Sequence, residues 1–190
     1  DPRIEGEEEF RAAGMVLSYV DLLLHGKPAG PRVAVVGAGG IGFDVGEFLT
    51  HAHDERSEAE RFDAEWGIDR SYAGRGGLKP AVDEKAPRRV FLLQRKSSKV
   101  GDGLAKTTGW IRRTLLKKRG VTMIPGVDYK AIDDAGLHIT VNGEAKTLPV
   151  DTVVICAGQE PCRELLAPLQ AAGIPVTLIG GADDAAELDA

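Results

Sequence analysis

The chain has 190 residues, 43% of them hydrophobic and 28% charged, enough for one packed domain or for one domain and part of a second. Its net charge of -5 and pI near 5.4 argue against nucleic acid or an anionic membrane as the main partner, because neither is drawn to a net negative surface. No apolar run approaches the roughly 20 residues of a membrane span.

The opening DPRIEGEEEF is acidic, the opposite of a signal peptide. Both ends look cut: the start is a polar segment without an obvious partner, and AAELDA stops within what reads as a helix. A fragment of a larger protein is expected. Residues 14–25, GMVLSYVDLLLH, predict one short helix, ended by GKPAGP. RVAVV then fits a buried strand and IGFDVGEFLTHAH a helix. Residues 52–87 are polar and glycine-containing and read as an excursion from the core, anchored by Trp66 and Tyr72. RVFLLQRK, from 89 to 96, is a second buried strand ending in bases. After the glycine-containing loop SSKVGDGLAK, the stretch TTGWIRRTLLKKRG predicts a helix. Trp110, Ile111, Leu115 and Leu116 form its apolar side and Gly120 its C-terminal cap. VTMI is a third strand, and the alternation from Asp128 to Asp151, broken at DDAG and NGE, predicts three or four antiparallel strands. TVVICAG closes the set as a buried parallel strand, with PVTLIGG expected as the last. The expected fold is α/β: a Rossmann-like dinucleotide-binding domain whose parallel sheet carries flanking helices and a β-meander in place of one crossover.

Gly37, Gly39 and Gly42 form G-x-G-x-x-G between a predicted strand and a predicted helix, the context that gives this motif its meaning. Gly37 permits the tight turn, Gly39 lets the backbone approach a pyrophosphate, and Gly42 lets the helix lie close to the strand. The diphosphate then meets the positive end of the helix dipole. A glycine turn serving packing alone is the plainer alternative. An NAD site places an acid at the end of the second strand, and an NADP site places bases there. Counting about 20 residues beyond the glycines lands on Asp54, Glu55, Glu58 and Glu60, which lie in the polar excursion without a strand pattern. The second strand instead ends at Arg95 and Lys96, with Lys99 close behind. Three cations there fit a 2′-phosphate, Arg95 bidentately and the lysines as point charges; a solvated basic loop is the alternative. No Ser/His/Asp group emerges. His25, His51, His53 and His138 are scattered, and the i,i+2 pair His51 and His53 does not share a helix face, so no metal is expected. Asp44 reads as a residue complementing the helix dipole rather than as a base. Cys156 and Cys162, spaced C-x5-C, match no metal or redox motif and read as free thiols in a reducing, cytoplasmic setting.

GAGGIGFDVGEFL, AEWGIDRS, the run from FLLQRKSSKVGDGLAKTTGWIRR to VTMIPGVDY, IDDAGLHITVNGE, TVVICAGQEP and LIGGADDAAELDA together resemble the C-terminal region of bacterial NADPH-dependent 2,4-dienoyl-CoA reductases. The resemblance covers nearly the whole chain beyond about residue 15, and LQRK and TTGWIRR carry it more specifically than the glycines do. It implies a parent in which electrons pass from NADPH to FAD, through a 4Fe-4S cluster to FMN, and on to the dienoyl-CoA. The FMN and cluster domain and the FAD domain of the same polypeptide would be this chain's partners. Residues 1–30 would be a linker and helix returning from the FAD domain, 31–158 the NADPH-binding domain, and 159–190 a shortened return into the FAD domain. Carried over by the resemblance, Gly37, Gly39, Gly40 and Gly42 would hold the NADPH diphosphate, and Arg95, Lys96 and Lys99 the 2′-phosphate. Thr107, Thr108, Gly109 and Trp110 would lie near the cofactor. Gly158 marks a strand end met in related flavoproteins, and Gly180, Gly181 and Asp183 resemble the late segment that contacts FAD.

Two other readings compete with this one. A related trimethylamine- or histamine-dehydrogenase-like domain would hold a nucleotide without passing hydride; the bases at the second strand argue against it, since a structural ADP has no 2′-phosphate. A non-catalytic interaction module would use GMVLSYVDLLL as its apolar surface, a segment better read as packing.

Overall fold

A computed structural model describes residues 3–51, 55–83 and 85–185. Strand β2 (Arg32–Val36) lies at the centre of the sheet, with β3 (Arg89–Leu93) on one side and β8 (Thr152–Ile155) on the other. β4 (Thr122–Ile124) adds outside β3 and β1 (Val16–Ser18) outside β8, so the order is β1-β8-β2-β3-β4 with every pairing parallel. RVAVV, RVFLL and TVVI show no polar alternation because both faces of a covered parallel sheet are dry.

One face is covered by α2 (Tyr19–Leu23), α3 (Gly40–Thr50) and α5 (Gly109–Lys118). The other is covered by the antiparallel meander β5 (Val127–Asp133), β6 (Gly136–Val141) and β7 (Glu144–Leu148). Alternate residues of β2 serve the two layers. Ala34 and Val36 pack with Phe91, Leu93, Leu137 and Ile139, whereas Val33 and Val35 pack with Phe43, Leu49, Leu92 and Leu116. Each large aliphatic or aromatic side chain removed from water here contributes about 1.5–3 kcal/mol. The resulting α/β fold, a Rossmann-like domain with a meander for one crossover, is the one expected, and the antiparallel strands number three.

Three expectations change. Residues 14–25 are not one helix: Val16 and Leu17 pair with Val153 and Val154 as an edge strand, and the helix starts only after Ser18. A short apolar run has no periodicity that separates strand from helix, so the neighbour that pairs with it decides. PVTLIGG forms no strand, and its Ile179 is exposed; a strand needs a pairing edge, and β1 already occupies the one beside β8. The excursion contains helix α4 (Glu58–Trp66), opened by a reciprocal Ser57–Glu60 capping box. Trp66 does anchor it, half-buried beneath the Lys118 ammonium, but Tyr72 is 79% exposed and anchors nothing. Two short helices complete the chain, α1 (Glu7–Ala12) against the meander and α6 (Leu166–Ala171) with no buried residue. Among the described residues no helix is long and apolar enough to cross a membrane.

Helix α2 carries a pH-dependent contribution. The Lys27 ammonium, then the Ser18 amide and hydroxyl, hold the Asp21 carboxyl well below the usual carboxylate range. A carboxylate depressed in the native state stabilises it above the unfolded pKa, near ~4, and that contribution is lost as pH falls through the native value. Asp21→Ala should therefore cost about 1 kcal/mol at neutral pH, the scale of a lost cap. In urea denaturation the gap from the unmodified chain should narrow below about pH 4.

Candidate functional site

The chain leaves β2 towards β3, while β8 and β1 lie on the opposite side, so the carboxyl end of β2 is a topological switch point, where open parallel sheets bind their ligands. Gly37 turns the chain there with φ +107°, its N–H donating to the Leu93 carbonyl at 3.0 Å. A Cβ on Gly37 would lie 3.0 Å from Ala157, and one on Gly42 only 1.9 Å from the Gly37 carbonyl oxygen. The turn is therefore a cradle that side chains would fill. Gly39 is the N-cap of the 11-residue α3 and accepts its first helical bond, from Phe43, at 3.1 Å. The N-cap, a glycine, has no side chain with which to cap that end, and no acidic residue occupies the first turn. Glycine backbone at the positive end of a helix fits a diphosphate.

The register places the bases beside this cradle. Val36 pairs with Leu93, so the segment that begins at Gln94 leaves the sheet next to Gly37. The Gln94 side-chain amide donates to the carbonyls of Lys96 at 3.1 Å and Ser98 at 3.0 Å, and its oxygen accepts from the Gly101 amide at 3.3 Å. Gly126 donates to the Lys96 carbonyl at 3.0 Å. Arg95, Lys96 and Lys99 are thus exposed on a loop with a fixed backbone. Arg95 lies close enough to Tyr129 for its charge to oppose the burial that pushes that phenol up. Lys99 shares a cavity of about 430 Å³ with Trp110, Arg113 and Lys117. Arg113 and Lys117 escaped the sequence reading, although with Trp110 their spacing of three and four residues puts them on one helix face.

Thr108 is the N-cap of α5 and lines a second cavity, of about 330 Å³, with Gly40, Asp44 and Arg112. Thr107 is exposed in the turn before it. Trp110 and Ile111 are 57% and 39% exposed, so the apolar side of α5 is Leu115 and Leu116 alone, with Gly109 buried against Leu104. Asp44 does more than face the helix dipole: its carboxylate accepts from Arg112 Nη1 at 2.9 Å. Gly158 follows Ala157, the neighbour of Gly37, and has φ +83°. Gly180, Gly181 and Asp183 lie on and just after an exposed 3-10 turn whose carbonyls at Ala182 and Asp183 accept from Arg163. The structure therefore gathers the glycine turn, the end of β8, the basic loop and the start of α5, and holds the late segment by its own Arg163 contacts.

Both cysteines are free; burial pushes the Cys156 thiol up to about 12, which keeps it protonated at neutral pH, and Cys162 is exposed. His51 is the residue that ends α3, and His53 lies outside the described residues. Among the described residues no three His, Cys, Asp or Glu side chains are grouped to hold a metal.

A parallel sheet with a glycine cradle at its switch point, helices on one face and a meander on the other defines a dinucleotide-binding domain of the glutathione-reductase kind. The chain belongs to the pyridine nucleotide-disulphide oxidoreductase family, whose model matches residues 1–184. These are flavin-dependent oxidoreductases that bind FAD and NAD(P)H. A metal reductase of Desulforamulus reducens is 24% identical over 174 residues, which are 88% of this chain and 24% of that protein. The chain thus spans about a quarter of that curated relative's length. Among solved structures, a 2-naphthoyl-CoA reductase in complex with 2-naphthoyl-CoA superposes with TM-score 0.61 at 18% identity, covering 88% of this chain and 20% of that one. The HOCl-induced flavoprotein disulfide reductase of Escherichia coli, as a Cu(II) complex of a cysteine mutant, gives 0.54 at 15% identity over 95% of this chain and 32% of its own. The thioredoxin reductase of T. acidophilum gives 0.52 at 16% identity over 88% and 43%. At these identities the likeness is one of fold.

Proposed function

We propose that this chain is the NADPH-binding, electron-input domain of a flavin-dependent reductase of the 2,4-dienoyl-CoA reductase type. The observation that carries the cofactor choice is the loop of Arg95, Lys96 and Lys99, which leaves β3 directly beside the glycine cradle. A 2′-phosphate would find a bidentate guanidinium and two ammonium charges there. The substrate class rests on the resemblance carried by LQRK and TTGWIRR, and with it come the FAD, FMN and 4Fe-4S groups of the rest of the polypeptide. Bound NADPH supplies a hydride to the flavin. The chain's own part is to hold the diphosphate on the backbone of Gly37 to Gly42, to select the phosphorylated ribose with the basic loop, and to present the dinucleotide at the end of β8, where Gly158 stands.

Calorimetric titration of the chain with NADPH and then NADH tests this. Arg95→Ala with Lys96→Ala should weaken NADPH by about 2–4 kcal/mol, the scale of two charge-assisted contacts, and leave NADH nearly unchanged. Equal weakening of both would refute the 2′-phosphate assignment. The chain alone is expected to leave a dienoyl-CoA unreduced, and turnover by it would overturn the electron-input reading.

A further inference from the structure

We propose that Arg112 is a ligand of the dinucleotide diphosphate and that Asp44 holds it in reserve while the site is empty of nucleotide. This rests on the dinucleotide reading above and adds to it a residue from a different helix. Arg112 reaches from α5 across to the first turns of α3: its Nη1 lies 2.9 Å from Asp44 Oδ1 and donates to the Gly40 carbonyl at 3.4 Å. It stands at the cavity of about 330 Å³ that Gly40, Ile41 and Thr108 also line. Both side chains remain open to solvent, 38% for Arg112 and 52% for Asp44.

Four features point the same way. Among the described residues the side-chain hydrogen bonds of Arg112 run through Nη1, leaving Nε and Nη2 for another acceptor. An ion pair exposed to this degree contributes little to stability, so its loss is a small obstacle. A guanidinium matches two phosphate oxygens at once, a stronger partnership than a single carboxylate contact in water. The carbonyl of Gly40 fixes the guanidinium against the turn on which the diphosphate would rest, so a change of side-chain rotamer suffices to transfer it. Asp44 meanwhile keeps the cation close to the cradle and neutralises it. The basic loop after β3 serves a different group, the 2′-phosphate, and the two sets of cations make separable contributions.

The test is a set of calorimetric titrations with NADPH and with NADH, on variants whose thermal melts match the unmodified chain. Arg112→Gln should weaken both dinucleotides by a similar factor, about tenfold or more, and Arg112→Lys should recover part of the loss as a point charge. Asp44→Asn should tighten both several-fold, and that gain should vanish when Arg112→Gln is also present. Unchanged affinity in Arg112→Gln overturns the proposal and leaves the dinucleotide site standing. A loss confined to NADPH also overturns it, since the residue would then serve the 2′-phosphate. A gain from Asp44→Asn that persists without Arg112 overturns the reserve role, because Asp44 would be acting on the phosphates directly. If the unmodified chain binds neither dinucleotide, the site reading falls and this proposal falls with it.

Discussion

Gly42→Ala is expected to lower the unfolding free energy by about 3–5 kcal/mol and to abolish dinucleotide binding, the stability loss lying at the upper end for overpacked sites. The added Cβ would sit 1.9 Å from the Gly37 carbonyl oxygen. That obstacle is backbone, at the end of the central strand, and has no rotamer to escape into. Relief requires α3 to lift off β2, and α3 carries Phe43, Val45 and Leu49, all fully buried between the helix layer and the sheet. Lifting it opens voids around those side chains and moves the N-terminus of α3 off the position that faces the switch point. Gly46→Ala, one turn further on, is the control. Its Cβ would meet the two methyls of Leu116, Cδ1 at 3.1 Å and Cδ2 at 3.7 Å, the far end of a flexible side chain. Replacing a helical glycine gains up to about 1 kcal/mol in propensity, so that variant should stay near the unmodified stability. Urea midpoints and NADPH affinity of the pair decide the matter: equal behaviour of the two variants would mean that the closeness of α3 to β2 does not require a glycine at 42.

The features legible in the sequence share a physical cause, which is that each is local. RVAVV, RVFLL and TVVI are read as strands because burial on both faces leaves an uninterrupted apolar run. The cradle is read from glycines two and then three residues apart, because the turn, the phosphate approach and the helix contact all fall within six residues. The basic loop is legible at the end of the second strand and not at a fixed count along the chain. The structure shows why: Glu58 and Glu60, which the count reaches, lie on α4, and Glu60 caps that helix through Ser57. What escaped the sequence is long-range. β1 has three residues and exists only through its pairing with β8. The Asp44–Arg112 contact joins two helices, and neither residue carries a local mark of the other. The same holds for Glu65, which reads as one more solvated charge in a polar excursion and is in fact buried.

That buried charge gives the second large effect. Arg119→Ala should cost about 3–5 kcal/mol, the penalty for stranding one half of a buried ion pair. Arg119 grips Glu65 with Nε at 2.9 Å and Nη2 at 3.1 Å, and both side chains are only 11% exposed. Its Nη1 also donates to the Glu47 carbonyl at 3.5 Å, so one guanidinium at the end of α5 joins α3 and α4. Lys118 adds to the same junction, its ammonium 5.0 Å from the centre of the Trp66 ring. Once Arg119 is truncated, the Glu65 carboxylate is left buried without its counter-charge, and moving it out to water carries α4 with it. Glu65→Leu combined with Arg119→Met removes both charges and fills the space with apolar volume, and it should recover most of the loss, because a desolvated pair contributes less net stability than either charge costs when left alone. The two results together distinguish a structural junction from a functional cation. Denaturant midpoints should show the single variant far below the double one, and limited proteolysis should cut residues 55–83 first in the single variant. NADPH affinity at a temperature where both are folded should match the unmodified chain, because this pair lies at the far end of α5 from Thr108 and the glycine cradle. A loss of about 1 kcal/mol or less in Arg119→Ala would mean that the pair behaves as an exposed one, with α4 held by Trp66 and its own caps.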